Sequence, residues 1–115
     1  MKINADDFGG FIVSKNILEG FSVKYIFREK SSIEQLNGWN LYSTKDDEKY
    51  IGNSDNFVIL DANSISDIVP VMLEIFDAPY GTDLCLLYEK EVHVGFYDLK
   101  SDKDITIDEI LNKSK

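Results

Sequence analysis

The chain has 115 residues, 43% of them apolar, with 21 acidic against 12 basic side chains and a formal net charge of −9. That length suits one domain with one core, and the apolar content, with seven Phe, six Tyr and one Trp, excludes intrinsic disorder. Nucleic-acid binders need a basic surface to displace condensed counterions, so the acidic balance argues against nucleic acid and against anionic membranes; a basic protein is the natural counterpart.

Residues 1–9 are polar apart from Ile3 and Phe8 and are expected to fray. Residues 10–14 (GFIVS) read as a strand entered through Gly9-Gly10, and 15–20 as a short helical turn closed by Gly20. Residues 23–28 (VKYIFR) alternate, which places Val23, Tyr25 and Phe27 on one face and Lys24, Ile26 and Arg28 on the other. Residues 29–37 form a charged loop with Ile33 and Leu36 tucked inward. In the next strand, Trp39, Leu41 and Ser43 share a face opposite Asn40 and Tyr42, and Trp39 is read as core because it can hide so much apolar area. A polar segment follows, and then Phe57-Val58-Ile59-Leu60, apolar throughout, as expected of a strand buried on both faces.

Residues 62–76 carry the one long helical pattern. Ile65, Ile68, Val69, Met72, Leu73 and Phe76 form an apolar stripe, with Ser64 and Ser66 as candidate N-caps. Pro70 belongs in a first turn, so a short turn at 64–68 and a helix proper at 69–76 are predicted. After turn residues at 77–82, two strands at 83–88 and 92–97 are joined as a tight hairpin by Glu89-Lys90-Glu91. Thr106 and Glu109 form a capping box for a C-terminal helix presenting Ile107, Ile110 and Leu111. These elements predict a single α+β domain over 1–115. Its mostly antiparallel sheet has about five or six strands, with one main helix packed on it and a short C-terminal helix within 104–115. There is neither a basic-then-apolar leader nor an apolar run of about 18 residues, so a cytoplasmic location is expected.

Little in the chain points to chemistry. His93 lies between Val92 and Val94 and is expected on the exposed face. No serine sits in a Gly-x-Ser-x-Gly turn, so a His-based triad has no support. Cys85, alone and flanked by leucines, reads as a small buried residue rather than a reactive thiol. Asp102, Asp104, Thr106 and Asp108 have calcium-like spacing, but Ile107 stands where the turn glycine belongs and Lys113 where a bidentate Glu belongs. Gly9-Gly10 is not a phosphate loop, since Asp6 and Asp7 beside it repel phosphate. No catalytic residue, cofactor or metal is therefore assigned. The segment 45–55, with Asp46, Asp47, Glu48 and Asp55 around Tyr50, is the candidate recognition surface: charge for attraction and an aromatic anchor. The bland reading of that run is a solvated loop.

A series of landmarks then falls in a recognisable order: Val13-Ser14, Arg28-Glu29, Gly38-Trp39, Asp46-Asp47-Glu48, Asp55-Asn56-Phe57 and Asp77-Ala78-Pro79-Tyr80-Gly81. Spread over residues 10–98, they resemble the bacterial DUF2185 family, also called Imm33. One departure is the start of the acidic patch, where Thr44-Lys45 precede Asp46 in place of a Gly-Asp-Glu-like opening. The family is understood to hold immunity proteins of polymorphic toxin systems. The resemblance thus implies a non-enzymatic inhibitor that binds and neutralises a cognate toxin, and the charge makes a basic one the better fit. The alternative is a small acidic ligand- or metal-binding accessory domain.

Overall fold

Stretches rich in β-branched and aromatic residues pair into one seven-stranded sheet in the computed structural model, which describes residues 8–112. The strands are β1 (Gly10–Ser14), β2 (Val23–Arg28), β3 (Leu36–Ser43), β4 (Phe57–Leu60), β5 (Asp83–Glu89), β6 (Val92–Asp98) and β7 (Lys103–Ile105). Their order is β4-β1-β3-β2-β5-β6-β7, with β1 and β3 parallel and every other neighbouring pair antiparallel. The sheet is thus mostly antiparallel as predicted, but larger than the five or six strands expected. The extra strand, β7, is short and charged and so gives no hydrophobic alternation to read. The fraying expected at residues 1–9 falls, for 1–7, outside the described residues. Phe8 is held, because Asn37 Nδ2 donates to its carbonyl at 3.0 Å and its ring meets Phe76 at 4.8 Å.

Four helices cover one face: α1 (Lys15–Leu18), α3 (Ala62–Ile68), α4 (Val71–Glu74) and α5 (Ile107–Asn112). They bury Ile17, Ala62, Ile65, Met72 and Ile110 against Phe11, Val13, Val23, Ile26, Trp39, Leu41, Leu84, Leu86 and Phe96. The division expected at Pro70 is present, but the lengths are reversed. The segment before it, expected as a short turn at 64–68, is the longer helix (Ala62–Ile68), and the main helix expected at 69–76 is the single turn Val71–Glu74. Pro70 cannot donate into a continuous ladder, so α3 stops and α4 restarts behind it. Asp61, rather than Ser64 or Ser66, caps α3 by accepting from the Ser64 N–H at 2.9 Å. The break rotates the stripe, so Ile75 is fully buried, Leu73 only partly, and Ile68 is 39% exposed. The capping box of α5 forms as read: Glu109 N–H donates to Thr106 Oγ1 at 3.2 Å and Thr106 N–H to Glu109 Oε1 at 3.1 Å. Residues 113–115 of the expected C-terminal helix lie outside the described residues.

Two strands differ from their patterns in ways that matter for function. In β2 a bulge between Val23 and Tyr25 flips the alternation. Val23 and Ile26 enter the core, while Tyr25 and Phe27, expected beside Val23, turn to the opposite face. The all-apolar β4 is an edge strand rather than a doubly buried one: only Val58 and Leu60 pack on the core, and Ile59 is 65% exposed. Ile33, expected to tuck inward, is 53% exposed.

Candidate partner-binding site

The motifs that carry the family resemblance fold into two internal clamps. Arg28, at the end of β2, reaches the turn after α4, where its guanidinium donates to Phe76 O at 2.7 Å and Ala78 O at 2.8 Å. Its Nε donates to Asn37 O at 3.0 Å. The same guanidinium lies 4.7 Å from the Tyr80 ring centroid and 5.1 Å from that of Phe76, a cation held among aromatic faces. Trp39 Nε1 adds a bond to Phe76 O at 3.1 Å, so the fully buried indole has its one donor satisfied. Gly38 has φ +91, and a Cβ there would lie 2.2 Å from Glu29 O. Arg-Glu, Gly-Trp and Asp-x-Pro-x-Gly thus meet in one structural joint.

Asp46 makes the second clamp. Its carboxylate accepts from Ser14 Oγ at 3.0 Å, Asn16 Nδ2 at 2.9 Å, Ser43 N–H at 2.8 Å and Ser43 Oγ at 2.6 Å. Partial burial works against the charged form, but the bonds from Ser43, Asn16 and Ser14 outweigh it and hold the carboxyl below its ordinary range. This residue joins β1, α1 and β3 rather than presenting a charge outward.

The remainder of the 45–55 segment is ordered. Asp47 caps α2 (Glu48–Ile51), accepting from Tyr50 N–H at 2.8 Å, and a 3-10 turn spans Ser54–Asn56. Asp47, Glu48 and Asp55 are exposed. Tyr50 is half-buried, 6.2 Å from the Phe57 ring, and Asn56 Nδ2 ties the turn to Tyr50 O at 2.9 Å. Of the five sequence-assigned site residues, Asp47, Glu48, Tyr50 and Asp55 therefore share one ordered projection, and Asp46 anchors it from beneath.

That projection borders the sheet face that carries no helix layer. Along this face run Phe57, Tyr42, Tyr25 and Phe27, with ring centroids 5.4 Å apart for Phe57–Tyr42, 5.7 Å for Tyr42–Tyr25 and 5.3 Å for Tyr25–Phe27. Between α2 and β4 the face opens into a groove of about 410 Å³ lined by Ile12, Tyr42, Ile51, Phe57 and Ile59 among others. Beyond β2 the stripe ends at Asp83 and Cys85. Cys85, read as core, lies half-buried opposite Tyr25. The aromatic stripe was not legible in the sequence. Its one signal was Tyr25 and Phe27 two apart on β2, and the bulge assigned them to the wrong face.

His93, expected exposed, turns inward with its ring 4.9 Å from Phe96 and 5.7 Å from Tyr88, while Val92 and Val94 are 62% and 55% exposed. The irregularity between Leu87 and Tyr88 sets that register. Among the described residues no group of three His, Cys, Asp or Glu side chains is placed to hold a metal ion. Among them, too, no helix is long and apolar enough to cross a membrane. No curated protein and no solved structure matches the chain. The family model described as the immunity protein Imm33 domain matches residues 11–101, which include both clamps, the acidic projection and the aromatic face, so the chain belongs to the Imm33 immunity-protein family.

Proposed function

We propose that this chain neutralises the cognate toxin of a bacterial polymorphic toxin system by binding it, without chemistry of its own, through the 45–55 projection. The observation that carries the reading is the pairing of exposed Asp47, Glu48 and Asp55 with the half-buried Tyr50 on one ordered element. Membership of an immunity family supplies the class of partner. The net charge of −9 makes a basic toxin the electrostatic match.

Exposed rim charges govern association and its salt dependence, whereas a partly buried aromatic governs dissociation. The test first identifies a toxin domain encoded beside this chain's gene and uses it, purified, as the probe, with kinetics read at low and moderate salt and growth rescue read in cells expressing the toxin. Asp47→Lys with Glu48→Lys is expected to slow association about tenfold at low salt and less at moderate salt. Tyr50→Ala is expected to speed dissociation about tenfold or more. Wild-type kinetics for both variants would remove the projection from the interface. Failure of the wild-type chain to bind that toxin or rescue growth would overturn the function itself.

A further inference from the structure

We infer that the sheet face opposite the core-packing helices is a seat for an arginine-bearing extended segment of the basic partner, with guanidinium groups lying over Tyr25, Phe27 and Tyr42 and one of them paired with Asp83. This rests on the reading of the chain as a protein-binding immunity protein, and it moves the centre of the interface from the acidic projection to the sheet.

Three independent features converge on the face. The first is its rings. Tyr25, Phe27, Tyr42 and Phe57 are each half-buried, so they present rigid π surface to solvent in a continuous stripe. Phe27 and Tyr42 meet edge to face at 5.4 Å. A stripe from β4 to β5 crosses five strands, about 19 Å at roughly 4.8 Å per strand, which is the reach of about six extended residues. Cations bind over such rings, and arginine does so best because its guanidinium is planar and weakly hydrated.

The second feature is Asp83, which lies across from Phe27 in the β2–β5 ladder. Its carboxylate interacts with the Tyr25 phenol, yet Oδ1 is covered and has no hydrogen-bond partner among the described residues. Asp83 as a residue is only half-buried, so an incoming guanidinium can approach its carboxylate from the open side and supply both charge and donors. The third feature is charge. Asp47, Glu48 and Asp55 flank the other end of the stripe, so both ends are acidic and the middle is aromatic. The groove between α2 and β4 is open for an apolar side chain of the same segment. The fold already uses this chemistry internally, where Arg28 lies over Tyr80 and Phe76.

The first test titrates the isotope-labelled full chain with acetyl-Arg-Leu-Arg-amide and, separately, with acetyl-Glu-Leu-Glu-amide, following backbone amide resonances. The arginine peptide is expected to move the signals of residues 25, 27, 42, 57 and 83 saturably, at low-millimolar affinity, while the glutamate peptide leaves them in place. Asp83→Asn, which keeps the side-chain shape, is expected to weaken the arginine peptide about fivefold, in line with the loss of a roughly 1 kcal/mol charge pair. Three results would overturn the inference: no shifts up to about 10 mM peptide, equal shifts with both peptides, or shifts confined to residues 46–55. Movement of the same signals on raising the chain's own concentration would overturn it in favour of an interface between copies. The wild-type titration decides the question even if Asp83→Asn fails to fold.

The second test uses the co-encoded toxin domain. Asp83→Asn and Phe27→Ala are expected to speed its dissociation about tenfold, with Lys24→Ala, an exposed β2 residue off the stripe, as the unchanged control. If the wild type binds and neutralises the toxin but both variants dissociate at the wild-type rate, the proposed function stands and the sheet-face seat falls. If the wild type does not bind that toxin, the proposed function falls, and the peptide titration alone judges the seat.

Discussion

At the scale of single residues, three of the family landmarks, Arg28, Trp39 and Asp46, are internal joints. Asp46 shows this most clearly, with four hydrogen bonds to Ser14, Asn16 and Ser43. Its carboxyl is held below the ordinary value of 3.8, so above that pH the unfolded chain has no proton advantage and the stabilisation is fully present. As pH falls through the lowered folded-state value, the unfolded chain takes up the proton first and the contribution is lost. Asp46→Asn should therefore flatten the acid limb of a stability-versus-pH curve read by denaturant melts, and at neutral pH cost about 1–3 kcal/mol for donors left without a charged acceptor. An unchanged acid limb would show that Asp46 is not coupled to folding. Gly38→Ala meets two obstacles at once, a φ of +91 and a Cβ placed 2.2 Å from Glu29 O. A loss of about 3 kcal/mol or more is expected, and a loss under about 1 kcal/mol would mean that the Arg28 joint relaxes easily.

At the scale of elements, the break at Pro70 decides which side chains carry the helical layer. Ile65 is fully buried and Ile68 39% exposed, although both lie on the stripe read from sequence. Ile65→Ala should cost about 2–5 kcal/mol and Ile68→Ala under about 1 kcal/mol; comparable losses would restore a single continuous helix. The β5–β6 hairpin holds a different kind of strain. Glu89 pairs with Val92, leaving Lys90 (φ 50) and Glu91 (φ 68) as a two-residue turn in left-handed backbone without a glycine. Glu91→Gly is expected to raise stability by about 0.5–1 kcal/mol, since left-handed backbone costs a non-glycine residue about 1–2 kcal/mol and glycine's extra unfolded freedom returns part of that. A fall in melting temperature would contradict this account of the turn.

At the scale of the whole molecule, two asymmetries matter. The four core-packing helices lie on one face of the sheet, and the net charge is −9. A field of that sign accelerates encounter with a basic protein and is screened over about 8–10 Å at physiological salt. If the partner is the basic toxin proposed above, its association rate should therefore fall steeply between low and physiological salt while dissociation changes little. A salt-independent association rate would mean that the acidity serves solubility and not recognition.

The sequence by itself determined the elements whose signals are local. Strands β1 and β2, the β5–β6 hairpin and the Thr106–Glu109 capping box are all legible because periodicity, turn chemistry and capping act within a few residues. The burial of Trp39 followed from its size. The family order was equally plain, because its motifs sit at fixed intervals along the chain. Tertiary structure alone decided where those strands stand in the sheet. Hydrophobicity does not distinguish an edge strand from a central one, so β4 read as doubly buried until its pairing with β1 alone put it at the rim. A one-residue bulge reverses every later side chain, and so moved Tyr25 and Phe27 from the expected core to the open face. The acidic segment was legible as charge, but charge along a sequence has no direction. Only the placement of Ser14, Asn16 and Ser43 around Asp46 turned one carboxylate inward and left Asp47, Glu48 and Asp55 facing out.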